Sequence, residues 1–230
     1  MTTIYIIRHA EVIYPLDAEG NKLMYPTTCP ISDEGRSQMT AFANKLHQQG
    51  ITFDKIYTSP YTRAVQSAEV LQSILQAPEI IESRQLEDPW IPGWIGRRIS
   101  EQQELMEQGQ DIYMNPKSDD QEPYENVANR AAEALYAMRD ENKGKSVALV
   151  SHGDTIRLMM YRLKHPTGDI PNMSILSKYD YLKRGEAWHL TFNYQGQLIE
   201  KQLLAKEGGK PGEKELTQDS ARVSGVKERK

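Results

Sequence analysis

The chain has 230 residues, a net charge of −4 and 26% charged residues, so it can bury a full core and has no basic surplus with which to hold nucleic acid or an anionic membrane. Its single cysteine, Cys29, excludes an internal disulfide framework and a cysteine-based zinc site, as expected in a reducing compartment. No apolar run reaches the roughly 18 residues needed to cross a bilayer, and the first strand begins without a signal-peptide pattern. One cytoplasmic domain over residues 1–205 is expected, followed by a polar tail.

Thr3-Ile4-Tyr5-Ile6-Ile7 is apolar and β-branched, the pattern of a central strand in a parallel sheet, and it stops abruptly at Arg8, His9 and Glu11. Residues 12–32 then lose periodicity, with Pro15, Gly20, Pro26 and Pro30 marking a long loop. A helix opens at Ser32 or Asp33 and turns Met39, Phe42, Ala43 and Leu46 to one side. Phe53 to Thr58 is the next strand. Ser59-Pro60 reads as a helix start, hydroxyl cap then proline, with Arg63 about one turn in. After a polar helix and loop over residues 97–125, Val127, Ala131, Leu135 and Met138 mark another helix.

Ser146 to Ser151 repeats the opening design, a buried-type strand followed by His152 and Gly153. A helix with Ile156, Met159, Met160 and Leu163 inward runs to Pro166. Strands are expected over Ile175 to Leu182, Trp188 to Phe192 and Leu198 to Leu204, the last two joined near Gln195-Gly196. From Lys206 the composition turns to Gly, Lys and Glu without aromatics, the signature of a disordered tail. The order of elements predicts an α/β fold, a three-layer α/β/α sandwich with a mainly parallel sheet. Ligands in such sheets bind at the carboxyl ends of strands, which is where Arg8, His9, Arg63 and His152 fall. Each of these side chains also suits an ordinary structural role when taken alone.

Together, Arg8-His9-Ala10-Glu11, Thr58-Ser59-Pro60-Tyr61-Thr62-Arg63-Ala64 and Val150-Ser151-His152-Gly153 resemble the histidine phosphatase superfamily, the phosphoglycerate mutase-like proteins. The resemblance runs from Thr3 to about Leu204 and includes Pro30 to Arg36. Ala10 stands where the family usually has glycine. The resemblance implies phosphomonoester hydrolysis of a small phosphorylated substrate, with no metal or cofactor, through a phosphohistidine on His9. Arg8, Arg63 and His152 would hold the phosphoryl oxygens.

The family pattern also supplies a proton donor, an acid at a fixed distance before a Trp-any-Gly element. Counting back from Trp94 and Gly96 puts Asp88 at that position and Glu87 beside it as second choice. Trp90 and Trp94 are read as packing residues, and Tyr113, Lys117 and Tyr124 as structural or solvated, with pocket lining the alternative for each of the three. Residues 97–125 are shorter and less basic than the insertion of the family's mutases, which favours a phosphatase. Three other readings stay open: a mutase, a silent phosphate-binding module, and a divalent-metal site of His9, Glu11, His152 and Asp154. Oligomeric state is not legible.

Overall fold

The computed structural model describes residues 1–171, 176 and 181–204. Six strands form one sheet: β1 (Thr2–Arg8), β2 (Lys55–Thr58), β3 (Ile80–Glu82), β4 (Ser146–Ser151), β5 (Ala187–Phe192) and β6 (Leu198–Leu204). Their order across the sheet is β3-β2-β4-β1-β5-β6, with β3, β2, β4 and β1 parallel and β5 and β6 antiparallel. The short edge strand β3 has no counterpart in the sequence reading, because two isoleucines between polar residues give no measurable period. The strand expected over 175–182 falls largely outside the described residues, and within them Leu176 is helical and Leu182 irregular. The expected tail after Lys206 and the segment Asn172-Met173-Ser174 also lie outside them.

Alternation along β1 divides the core in two. Tyr5 and Ile7 face α1 (Asp33–Gln48) and α2 (Thr62–Leu75), meeting Met39, Phe42, Leu46 and Leu71. Ile4 and Ile6 face α4 (Tyr124–Glu141) and α5 (Gly153–Lys164), meeting Leu135, Ile156 and Met159. The result is the three-layer sandwich that period-two alternation in a doubly covered strand requires. Each fully buried aliphatic side chain here contributes about 1.5–3 kcal/mol relative to exposure. The short helix α3 (Ile99–Glu107) buries none of its residues and lies outside this core.

Of the two helix starts read from capping signals, one is as expected. Ser32 caps α1, its hydroxyl accepting from the Gly35 amide at 3.0 Å, and Asp33 and Glu34 complement the helix dipole in the first turn. Ser59, however, is not the cap of α2. That helix begins three residues later at Thr62, whose amide donates to the Thr27 carbonyl in the long loop at 3.2 Å. Loop and helix are thereby tied together, and the Ser59 hydroxyl is released for another partner.

Gly35 is held by a close approach of backbones: a Cβ there would stand 2.2 Å from the Glu11 carbonyl oxygen. The start of α1 is thus pressed against the residue that follows the Arg8-His9-Ala10 turn. Gly35→Ala is expected to cost about 1–3 kcal/mol through overpacking, lowering the thermal midpoint by several degrees in calorimetry. An unchanged midpoint would show that this contact is slack.

Candidate active site

The order β2-β4-β1 brings three strand ends side by side. The His9 amide donates to the Ser151 carbonyl at 2.9 Å, and the Ser59 amide to the Val150 carbonyl at 3.0 Å, so the ladder continues past the strands and fixes the residues beyond them. The rings of His9 and His152 lie 5.2 Å apart, both fully buried. His9 donates from Nδ1 to the Ala10 carbonyl at 2.7 Å. A carbonyl can only accept, so Nδ1 carries the proton and Nε2 keeps its lone pair. Ala10 does not distort this turn: φ remains negative, and its methyl joins the apolar layer with Ile7 and Ala64.

His152 Nε2 lies 2.8 Å from Ser59 Oγ, which also accepts from the Tyr61 amide at 3.3 Å. The serine proton is then free to point at Nε2, leaving Nδ1 as the protonated nitrogen. That nitrogen has no hydrogen-bond partner and faces Asp88 Oδ2 at 3.7 Å. Sequence reading missed Ser59 because a serine before proline is a stronger local signal for a cap than for a histidine 93 residues away.

Arg63 is 3% exposed and its Nη2 donates to Asp88 Oδ2 at 3.0 Å. Arg8 donates from Nη1 to the Leu182 carbonyl at 3.0 Å, with its guanidinium 4.7 Å over the ring of Tyr181. Gly153 makes room for this stack. A Cβ there would meet the Tyr181 hydroxyl at 2.7 Å and Arg8 Cζ at 2.8 Å. Arg157 also lies 4.7 Å from the centre of the same ring, giving Tyr181 two cation contacts.

Arg8, His9, Arg63, Asp88, Asp154 and Arg184 all contribute to one cavity of about 220 Å³. Glu87 does not line it, because consecutive residues of extended backbone point to opposite sides, and its side chain lies among Arg84, Glu122 and Arg130. The segment carrying both acids is pinned from below: Ser151 Oγ donates to the Leu86 carbonyl at 2.7 Å, and Thr155 Oγ1 and Arg130 Nη1 donate to the Glu87 carbonyl at 2.8 and 2.9 Å. Trp94 is buried as expected. Trp90 is 41% exposed at the cavity rim and is not a packing residue.

Tyr113, read from sequence as structural or solvated, lines the cavity and donates to Asp154 Oδ2 at 3.1 Å. Tyr124 lies against it with ring centroids 3.8 Å apart, and the Lys117 ammonium is 5.2 Å from the Trp94 ring. Two further cavity residues, Arg184 and Tyr181, carry no sequence signal. Arg184 pairs with Glu11 through Nη1 and donates to the Tyr14 hydroxyl at 2.8 Å through Nη2. Glu11 and Asp154 thus each hold an arginine, Asp154 to Arg157 at 2.5 Å. Among the described residues no group of three or more His, Cys, Asp or Glu side chains is arranged to hold a metal ion.

The carboxyl edge of the sheet brings Arg8, Arg63, Arg184 and the neutral imidazole of His9 to one small cavity, with the His152 ring packed against His9 outside the lining, an arrangement of charge that suits a small anion. The family is definite. The model of the histidine phosphatase superfamily, branch 1, matches residues 4–179, and the chain belongs to that superfamily; by family it is a phosphatase. A metal-independent phosphoserine phosphatase of Arabidopsis thaliana is 23% identical over 182 residues, 76% of this chain and 75% of that protein. Bacillus stearothermophilus YhfR superposes with a TM-score of 0.69 at 22% identity, over 90% of this chain and 97% of that one. Phosphoserine phosphatase from Entamoeba histolytica, solved with 3-phosphoglyceric acid, gives a TM-score of 0.67 at 20% identity, over 90% and 98%. These structural likenesses establish the fold. No helix among the described residues is long and apolar enough to cross a membrane.

The electrostatics of the two imidazoles predict how stability follows pH. Burial, then Arg63, lowers the pKa of both well below the usual 6.5. Below 6.5 the unfolded chain binds protons that the folded site refuses, so this contribution is complete above that pH and lost as pH falls. Asp88 acts in the opposite sense: burial raises its pKa to about 6, and its contribution is lost as pH rises through that value. Two imidazoles outweigh one carboxyl. Urea midpoints are expected to fall between pH 7.5 and 5.5, and the variant carrying both His9→Asn and His152→Asn should flatten the fall. Equal slopes in both proteins would contradict the electrostatic account.

Proposed function

We propose that the protein is a metal-independent phosphomonoesterase that hydrolyses a small phosphorylated metabolite through a phosphohistidine on His9, with Asp88 as proton donor. The carrying observation is the His9 hydrogen bond to its own following carbonyl, which leaves Nε2 unprotonated in a cavity that Arg8 and Arg63 share. Burial and both arginines keep the ring neutral, as a nucleophile at neutral pH requires. The Arabidopsis relative named as a metal-independent phosphoserine phosphatase supports the hydrolytic reading. A cavity of about 220 Å³ suits a small ester better than a phosphorylated polymer.

The steps follow from the placement of charge. Nε2 of His9 attacks phosphorus as the bond to the leaving oxygen breaks, and Asp88 gives its proton to that alkoxide. Arg8, Arg63 and the Nδ1–H of His152 offset the charge on the three equatorial oxygens. Water then attacks phosphorus, the phosphorus–nitrogen bond breaks, and the Asp88 carboxylate takes the proton from the water. Protein cations supply the electrostatic stabilisation that a metal provides elsewhere.

Asp88 has a second part to play in this scheme. In the free protein its carboxylate rests on Arg63 and before His152, in the place of an anion. An arriving phosphoryl group competes for the same donors and frees the carboxyl. The loss of Arg63 and the arrival of negative charge both push its pKa upward from about 6, toward the protonated acid that the leaving group needs.

For an alkyl phosphate, kcat/KM should decline as pH rises through about 6, where free Asp88 loses its proton, while the corresponding limb of kcat lies at higher pH. His9→Ala should lower kcat by at least about 10³-fold and abolish an acid-labile phosphoenzyme in rapid-quench trapping. Asp88→Asn should lower turnover of the alkyl ester about 10²–10⁴-fold, with a much smaller loss on an activated aryl phosphate. Excess chelator should leave the rate unchanged. A rate that climbs steadily into alkali, or one that vanishes with chelator, would defeat the scheme.

A further inference from the structure

The cavity divides into two chemically unlike halves. At its base lie Arg8, His9 and Arg63. Five apolar side chains, Met24, Trp90, Ile91, Ile95 and Ile99, form another part of its lining, beside Thr27, Gln102 and several tyrosines. Two of these are large and open to solvent, Trp90 at 41% and Ile95 at 38%. Exposed apolar groups at the rim of a binding cavity await a partner more often than isolated surface residues do.

The wall is built by backbone pairing and not by chance proximity. The Met24 amide donates to the Arg97 carbonyl at 2.7 Å, the Gly96 amide to the Met24 carbonyl at 2.9 Å, and the Ile99 amide to the Lys22 carbonyl at 3.0 Å. These bonds stitch the long loop to the start of α3 and bring Met24, Ile95 and Ile99 together. Trp90 is fixed separately. Its indole Nε1 donates to Asp120 Oδ2 at 3.3 Å, and its carbonyl accepts from the Glu122 amide at 2.8 Å.

The charged groups beyond the base are already paired within the protein. Arg184 holds Glu11 and Tyr14, and Asp154 holds Arg157 and Tyr113. An ammonium on the alcohol half of a substrate would have to break one of these pairs and strand the displaced ion, and a carboxylate would find the one unpartnered Arg184 nitrogen, Nε, buried. An apolar group would displace only water from the wall.

We infer that the alcohol half of the substrate is an uncharged apolar group, alkyl or aryl, seated against Met24, Trp90, Ile91, Ile95 and Ile99. The inference rests on the phosphatase reading and names the substrate class for that same cavity. It sets this chain apart from the proteins it resembles whose names specify phosphoserine.

The test compares kcat/KM for benzyl and hexyl phosphates with O-phosphoserine and 3-phosphoglycerate, so that no leaving group is strongly activated. The apolar esters should be preferred by about tenfold or more, the selectivity that burial of one or two methylenes supports. Trp90→Ala and Ile95→Ala should each raise KM for benzyl phosphate several-fold with kcat nearly unchanged, and change kcat/KM for phosphoserine by a much smaller factor. Trp90→Phe should restore most of the loss. Equal or better turnover of the phosphorylated acids, or a loss at Trp90→Ala shared by all esters, would overturn the inference. Should no ester be hydrolysed, the phosphatase reading falls, and calorimetry with benzylphosphonate and phosphonoacetate still decides: tighter benzylphosphonate supports the apolar wall, and equal or weaker binding removes it.

Discussion

The site depends on β4 lying between β1 and β2. Only this order lets Ser151 and Val150 accept hydrogen bonds from His9 and Ser59, one on each side, and so lock the residues beyond the strand ends into a common frame. His9 then meets His152 ring to ring, while Ser59 reaches the second imidazole from the other flank. Hydroxyls of the same strand and the helix after it, Ser151 and Thr155, grip the backbone of Leu86 and Glu87 and so determine where Asp88 stands. One central strand thus positions His9, His152 and Asp88.

Packing cations beside imidazoles has a cost that the surroundings offset. Arg63 is nearly fully buried and draws Asp88 to it; Arg8 and Arg157 both contact the Tyr181 ring; Arg184 draws Glu11 and Tyr14. Desolvation, then Arg63 and Arg8, keep both histidines neutral. The arginine field therefore does two things at once: it gathers positive charge at the cavity and keeps the His9 ring neutral.

Much of this was legible in the chain. The strands ending at Arg8-His9 and Ser151-His152 announce themselves because apolar β-branched runs that stop at charge are strong local patterns. Arg63 was expected about one turn into the helix; with the cap assigned to Ser59 wrong, it is the second residue of α2 and still faces the cavity. The choice between Asp88 and Glu87 rested on counting from Trp94 and Gly96, and the structure puts Asp88 in the cavity with His9 and Glu87 outside it. Trp90 was misread, since a tryptophan near prolines looks the same whether it packs inward or stands at a rim.

What the sequence determined by itself is the set of local choices: which runs pair as strands, which faces of the helices are buried, and which chemical groups stand at the strand ends. These depend on side-chain period and on neighbours within a few residues. What tertiary structure alone decided is who neutralises whom. Arg184 finds Glu11 across 173 positions, Tyr113 finds Asp154 across 41, and Ser59 finds His152 across 93. Such pairs arise when distant loops meet over a sheet, and no periodicity along the chain encodes them.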